Sequence, residues 1–128
     1  MDIIEQVSKS VVNVSIIKLV HNIFYQAVSL AGMGSGTIID AKGLILTNNH
    51  VVGGAEKINV TFWNNEVLEG KIEGSCAVHD IAVVRVKAKN LQAAELGDSD
   101  KLRVGQRVYA IGNPLRLSWR TIRDFRGN

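Results

Sequence analysis

An all-β sandwich or barrel is the fold class this sequence predicts. Three observations carry it. Seven short runs rich in Val, Ile and Thr are each bounded by Gly, Asn, Asp or Ser. A helical period occurs only in the first few residues. The chain has 128 residues, 46% of them hydrophobic, which suits one packed domain and leaves no room for two ordinary ones.

Residues 2–9 read as a short helix, with Asp2 as N-cap and Ile3, Ile4 and Val7 on one face. From Val11 to Ile17 the chain is β-branched and strand-like. Residues 37–39 and 44–47 form a hairpin about the turn Asp40-Ala41-Lys42-Gly43, with glycine at its end. Residues 58–63 alternate, turn at Asn64-Asn65, and return as 67–72. Residues 81–86 and 107–111 complete the set. The single proline, Pro114 in Gly112-Asn113-Pro114, closes the domain, so the predicted unit is 1–114.

The net charge is +3, a value that invites a nucleic-acid or membrane partner. Its location excludes that reading. Residues 1–114 hold eleven basic and eleven acidic side chains. The excess lies in 115–128, where Arg116, Arg120, Arg123 and Arg126 stand against Asp124. A neutral body has no electrostatic footprint for DNA or RNA. No apolar run approaches the roughly 20 residues of a membrane span. Met1-Asp2-Ile3-Ile4-Glu5 has no basic, then apolar, leader pattern, so the chain as written is expected in the cytoplasm. A chain trimmed of its leader would read the same, which keeps a cell-envelope origin open.

Cys76 is the sole cysteine, which excludes an intrachain disulfide and a cysteine-based zinc site. It is expected as a buried or passive thiol, with no histidine partner implied. The sequons Asn13-Val14-Ser15 and Asn59-Val60-Thr61 fall inside predicted strands, so neither is expected to carry glycan.

Of three histidines, His21 and His79 lie in predicted loops without distinguishing context. His50 differs. It follows Leu44-Ile45-Leu46-Thr47-Asn48-Asn49 and precedes Val51-Val52-Gly53-Gly54. An imidazole at the end of a buried strand is held rigidly while its ring reaches a cleft, which suits a general base. Asp80 stands just before the apolar run 81–84. It is either a turn residue or a carboxylate that accepts the Nδ1–H of His50 and fixes its tautomer. The residues alone leave both readings open. His50 and Asp80 give too few ligands for a metal, and no cofactor is expected.

Four segments resemble the HtrA/Deg family of trypsin-like serine proteases. They are Gly34-Ser35-Gly36-Thr37-Ile38-Ile39-Asp40 with Gly43 to Val52, Asp80-Ile81-Ala82-Val83-Val84, Leu96-Gly97-Asp98-Ser99-Asp100-Lys101-Leu102-Arg103-Val104-Gly105, and Ala110-Ile111-Gly112-Asn113-Pro114. The resemblance implies a six- to seven-stranded antiparallel Greek-key barrel, the first of the family's two, with His50 as catalytic base and Asp80 as its orienting carboxylate. It implies unfolded protein or peptide as substrate. The family often has Asp-Pro within the stretch occupied here by residues 75–79.

The family nucleophile lies in a Gly-Asn-Ser-Gly-Gly type segment of the second barrel, and residues 1–128 contain none. Ser35 reads as a strand-entry residue, Ser99 sits in an acidic turn and Ser118 in the tail. Ser8, Ser10, Ser15, Ser29 and Ser75 lack the glycine-rich amides of an oxyanion hole. The chain alone is therefore expected to be inactive. A lone barrel exposes the face that packs on the second, so self-association is expected. The other function class is a non-catalytic barrel that holds peptides or partner strands.

Residues 115–128 lack the glycine-rich continuation of the family. One back-translation of them, read one base later, gives Ser-Gly-Leu-Ala-Gly-Gly-Pro-Ser-Val-Thr-Ser-Gly-Val, which resembles that continuation. The unique codon of Trp119 forces glycine in that frame. A frameshift that truncated a full-length protease is the expectation drawn from it.

Overall fold

In the computed structural model the described residues are 3–112 and, for the backbone alone, 122–126. The first helix is α1, Ile3–Ser8, and the Asp2 cap lies outside the described residues. Six strands close into a barrel: β1 (Val11–His21), β2 (Ala27–Asp40), β3 (Leu44–Thr47), β4 (Lys57–Thr61), β5 (Val67–Cys76) and β6 (Ile81–Val86). Their order around the barrel is β1-β2-β3-β6-β5-β4, and every pairing is antiparallel. Between β3 and β4 runs α2, a single turn over Asn49–Val52. The expected all-β barrel with an N-terminal helix is therefore present, with six strands.

The seventh predicted strand, β7 (Arg107–Ile111), lies outside the barrel. It pairs with β8 (Ile122–Arg126) in a separate two-stranded sheet. β8 falls inside the stretch read as a tail. Residues 113–121 and 127–128, with Pro114 and the serine at 118, lie outside the described residues.

Alternation builds the core. Val12, Val14 and Ile16 of β1 face Ile58 and Val60 of β4, and Ile38, Ile45, Val52, Phe62, Ala82, Val84 and Val86 complete the lining. Period 2 sends alternate side chains to one face, and closure turns all those faces inward. The segment after β6 is laced back over the barrel. Leu91 N–H donates to Ala41 O, Ala94 N–H to Ile38 O, and Ser10 Oγ to Gln92 O.

Three strands run further than their sequence period indicated, one of them β5, which is expected over 67–72 and ends at Cys76. β1 continues to His21 and β2 begins at Ala27, so 11 residue pairs join them. β4 follows β1 only as far as Ile17, opposite Lys57. Beyond it the hairpin projects as a two-stranded ribbon. His21, expected in a loop, is the last residue of β1 and is exposed.

Candidate active site

The pairing of β3 with β6 makes the site. Thr47, the last residue of β3, lies opposite Ala82 near the start of β6. The residues just after β3 therefore stand beside those just before β6. His50 comes from the first side and Asp80 from the second, 30 residues apart in the chain.

Each side is anchored. Val52 at the end of α2 is fully buried and pins the turn to the barrel. Val51 lies against Gly34, where a Cβ would fall 2.8 Å from Val51 Cγ2, so only glycine lets α2 seat so close to β2. His50 therefore sits on a one-turn helix just past β3, where a strand end was expected. Asp80 has φ +53, a left-handed conformation that Asp tolerates better than most residues. Its N–H donates to Ala77 O. Its carbonyl accepts from Asn49 N–H at 3.2 Å and Asn48 Nδ2 at 3.1 Å. Asn48, at the N-cap position of α2, makes no side-chain cap bond and braces the Asp80 turn instead.

Both carboxylate oxygens of Asp80 meet His50. Oδ1 accepts the His50 backbone N–H at 2.7 Å, and Oδ2 lies 2.5 Å from ring Nδ1. The side-chain hydrogen bond from His50, followed by its backbone N–H, holds the Asp80 carboxyl below the usual carboxylate range. An ionised Asp80 can only accept, so Nδ1 carries the proton and Nε2 of the neutral ring is the basic atom. The two side chains are 71% and 42% exposed, so the pair lies open at the barrel rim. The sequence left Asp80 as a turn residue or as a carboxylate partner of His50; it lies in the β5–β6 turn, and both of its carboxylate oxygens meet His50.

The remaining candidates separate from this pair. Ser8 Oγ donates to Ile4 O and Ser10 Oγ to Gln92 O, so both hydroxyls are tied to backbone. Ser35 lies within β2 and its carbonyl accepts from Thr47 Oγ1. Ser99 opens a 3-10 helix capped by Asp98. Among the described residues no three His, Cys, Asp or Glu side chains cluster as a metal site. A shallow cavity of about 410 Å³ lies at the far end of β6, lined by Lys9, Trp63 and Gln92 among others, away from the His50–Asp80 pair.

Cys76 needs correction. It is exposed, not buried, and His79 Nδ1 lies 3.4 Å from its Sγ. Cys76 ends β5 and His79 lies within the β5–β6 turn, so a histidine partner exists three positions on. The spacing Cys-x-x-His across a tight turn is the signal that could have shown it.

Comparison with known proteins places this geometry. The family model of the trypsin-like peptidase domain matches residues 34–125. Serine protease HhoB of Synechocystis sp. is 50% identical over 86 residues, which cover 67% of this chain and 21% of HhoB. The solved HtrA-type protease AlgW with a decapeptide superposes with TM-score 0.85 at 29% identity, over 94% of this chain and 41% of that one. This chain belongs to the HtrA-type trypsin-like serine proteases. Within that family it is also similar to a periplasmic DegP-like serine endoprotease of Pseudomonas putida, 46% identical over 82 residues, 64% of this chain and 17% of that one. The HtrA-type chain thus spans about a fifth of the curated relatives it matches and about two-fifths of the solved AlgW chain. Among the described residues no helix is long and apolar enough to cross a membrane.

Proposed function

We propose that residues 1–114 carry the first barrel of an HtrA-type serine endopeptidase, with His50 as general base and Asp80 as its orienting carboxylate. One observation carries the reading: both Asp80 oxygens engage His50, at ring Nδ1 and at the backbone N–H. With Nδ1 protonated, Nε2 takes the proton of a serine hydroxyl as that oxygen attacks the scissile carbonyl. It then returns the proton to the leaving amine. Asp80 holds the ring and stabilises the imidazolium without taking the proton itself. The substrate is unfolded protein or peptide, the chemistry implied by the family.

The nucleophile, oxyanion hole and specificity pocket belong to a second barrel that residues 1–128 do not supply. Loss of one triad member costs about 10⁴- to 10⁶-fold, and here the groups behind residual catalysis are missing as well. A polypeptide of these residues is expected to leave casein intact. Added second-barrel polypeptide restores cleavage that a serine-directed reagent blocks. Turnover by residues 1–128 alone, sensitive to that reagent, would overturn the reading.

A second reading rests on β2. On the side away from β1 it pairs with β3 only over Thr37–Asp40, which leaves a long edge toward Ala27. Such an edge suits β-augmentation by a peptide or by a second copy of this chain, in a non-catalytic barrel. Peptide binding without hydrolysis after the second-barrel polypeptide is added favours this reading. Self-association of the exposed barrel is part of either, and a monomer by light scattering removes it. The relatives named as periplasmic support a cell-envelope location over the cytoplasm. The frameshift reading of 115–128 is carried by Trp119. Protease-like coding in the shifted frame beyond codon 114 supports it, and its absence ends it.

A further inference from the structure

We propose that Asn48 is a positioning residue for the chemistry at His50: its side-chain amide grips the main chain of Asp80 and so keeps that carboxylate aimed at the imidazole. The proposal rests on the reading of His50 as general base. It starts from an exchange at the head of α2. Asn48 has the extended backbone of a helix N-cap, φ −91 and ψ 140. At that position an Asn oxygen ordinarily accepts from the second or third N–H of the helix. Here both are taken. The second, His50 N–H, donates to Asp80 Oδ1 at 2.7 Å, and the third, Val51 N–H, donates to Asn48 O at 3.1 Å. The Asp80 carboxylate thus does the capping, and the Asn48 amide is released to the Asp80 carbonyl, 3.1 Å from Nδ2. Only the amide nitrogen can face a carbonyl oxygen, so the orientation of the amide is fixed by its partner.

Asp80 needs that grip. Its φ of +53 is a left-handed conformation that costs a residue other than glycine free energy and persists only where the surroundings hold it. One hold is local and long, from Asp80 N–H to Ala77 O at 3.3 Å. The others come from residues 48–50. Asn48 Nδ2 and Asn49 N–H meet the Asp80 carbonyl, and His50 N–H and Nδ1 meet its carboxylate. Of these four donors, two are backbone and one is the ring of the base itself. Asn48 alone of them contributes a side chain from outside the His50–Asp80 pair.

The root of the Asn48 side chain is itself fixed. Thr47 before it is buried, with Oγ1 donating to Ser35 O at 2.8 Å, and the Asn48 carbonyl is held by Val51. A short side chain on a fixed root has little freedom left to lose when it binds. Its removal frees the Asp80 carbonyl on one side and lets the left-handed turn relax. The carboxylate then leaves Nδ1, and the ring proton returns to Nε2, the form a free histidine side chain favours. Such a ring presents a proton where the base must accept one, so it cannot take the proton of a serine hydroxyl at Nε2.

The test is heteronuclear NMR of the imidazole nitrogens in the labelled 128-residue chain, at a pH where the rings are neutral, with His21 and His79 as internal references. The parent is expected to carry the His50 proton on Nδ1. Asn48→Ala is expected to shift the balance toward Nε2–H about fivefold, the effect of one ordinary hydrogen bond. Asn48→Asp separates positioning from capping. Aspartate has the size of Asn and caps a helix as well, but it brings only acceptors to the Asp80 carbonyl. It is therefore expected to shift the balance at least as far. Asn48 is exposed, so both variants are expected to fold, and an unchanged far-UV circular dichroism spectrum certifies it. A parent with the proton on Nε2 removes the reading of Asp80 as orienting carboxylate and the proposal with it. A parent with the proton on Nδ1, and the same balance in both variants, overturns the proposal alone. A shift in Asn48→Ala that Asn48→Asp lacks makes Asn48 a cap and also overturns it.

Discussion

Replacement of Gly43 by Ala probes the strand pairing that brings His50 to Asp80. Gly43 ends the turn into β3 with φ +113, and a Cβ built on it falls 2.2 Å from the Val86 carbonyl oxygen. That oxygen is backbone and cannot swing aside. Carbon and oxygen approach no closer than about 3.3 Å in ordinary contacts, so β6 must retreat by about 1 Å. The retreat breaks the bond from Val86 N–H to Gly43 O, 2.9 Å long. Left-handed strain costs about 1–3 kcal/mol and the lost hydrogen bond about 1 more. The expected loss is about 2–4 kcal/mol, a large part of the stability of a small domain. Gly54 is the control. It has φ +76 but nothing within 4 Å of a built Cβ, so Gly54→Ala carries the strain alone. In urea unfolding followed by circular dichroism, a slope of about 1–2 kcal/mol/M places the Gly43→Ala midpoint about 1–4 M lower. Equal losses at the two positions would refute the reasoning, because the Val86 oxygen would then play no part.

Three further outcomes are expected from the same structure. Asp80 and Glu73 both have carboxyls held below their ordinary range, by His50 and by Arg85 respectively. Folding therefore releases protons from them, so their contribution is complete above the unfolded values of about 3.9 and 4.3 and is lost as pH falls through the folded ones. The difference in urea midpoint between the parent and Asp80→Asn should accordingly shrink from pH 7 to about pH 3, and a constant difference would count against the His50 bonds as its source. Ile45 is fully buried in β3, and Ile45→Ala should cost about 2–5 kcal/mol, read as a melting temperature about 10–30 °C lower. Cys76 is exposed beside His79 and should react with Ellman's reagent in the folded protein; a rate about a hundredfold below that of the unfolded chain would contradict an open thiol.

Much of the site was legible because its local sequence is strongly constrained. β6 and β7 were bounded correctly from their apolar runs, and the Asp40–Gly43 turn announced itself through its glycine. The hairpin arms were not. Residues 18–36 mix Ser, Ala and Gly with scattered apolar groups, and their strand state comes from pairing across the ribbon rather than from alternation toward a core. The Cys76–His79 approach was missed for a related reason, since it depends on how tightly the β5–β6 turn closes.

By itself the sequence determined the local elements and the family. Period 2, turn residues and four ordered segments specify strands, turns and the two chemically apt side chains, because these depend on near neighbours and on residue type. Only the tertiary structure decided which strands meet. β3 beside β6 is a contact between distant segments, and closure of the barrel, not propensity, selects it. From that one pairing come the approach of His50 to Asp80, the left-handed turn that aims the carboxylate, and the assignment of the ring proton to Nδ1. In the same barrel β4 begins only at Lys57, opposite Ile17, and the hairpin tip projects beyond it with its apolar side chains in the open.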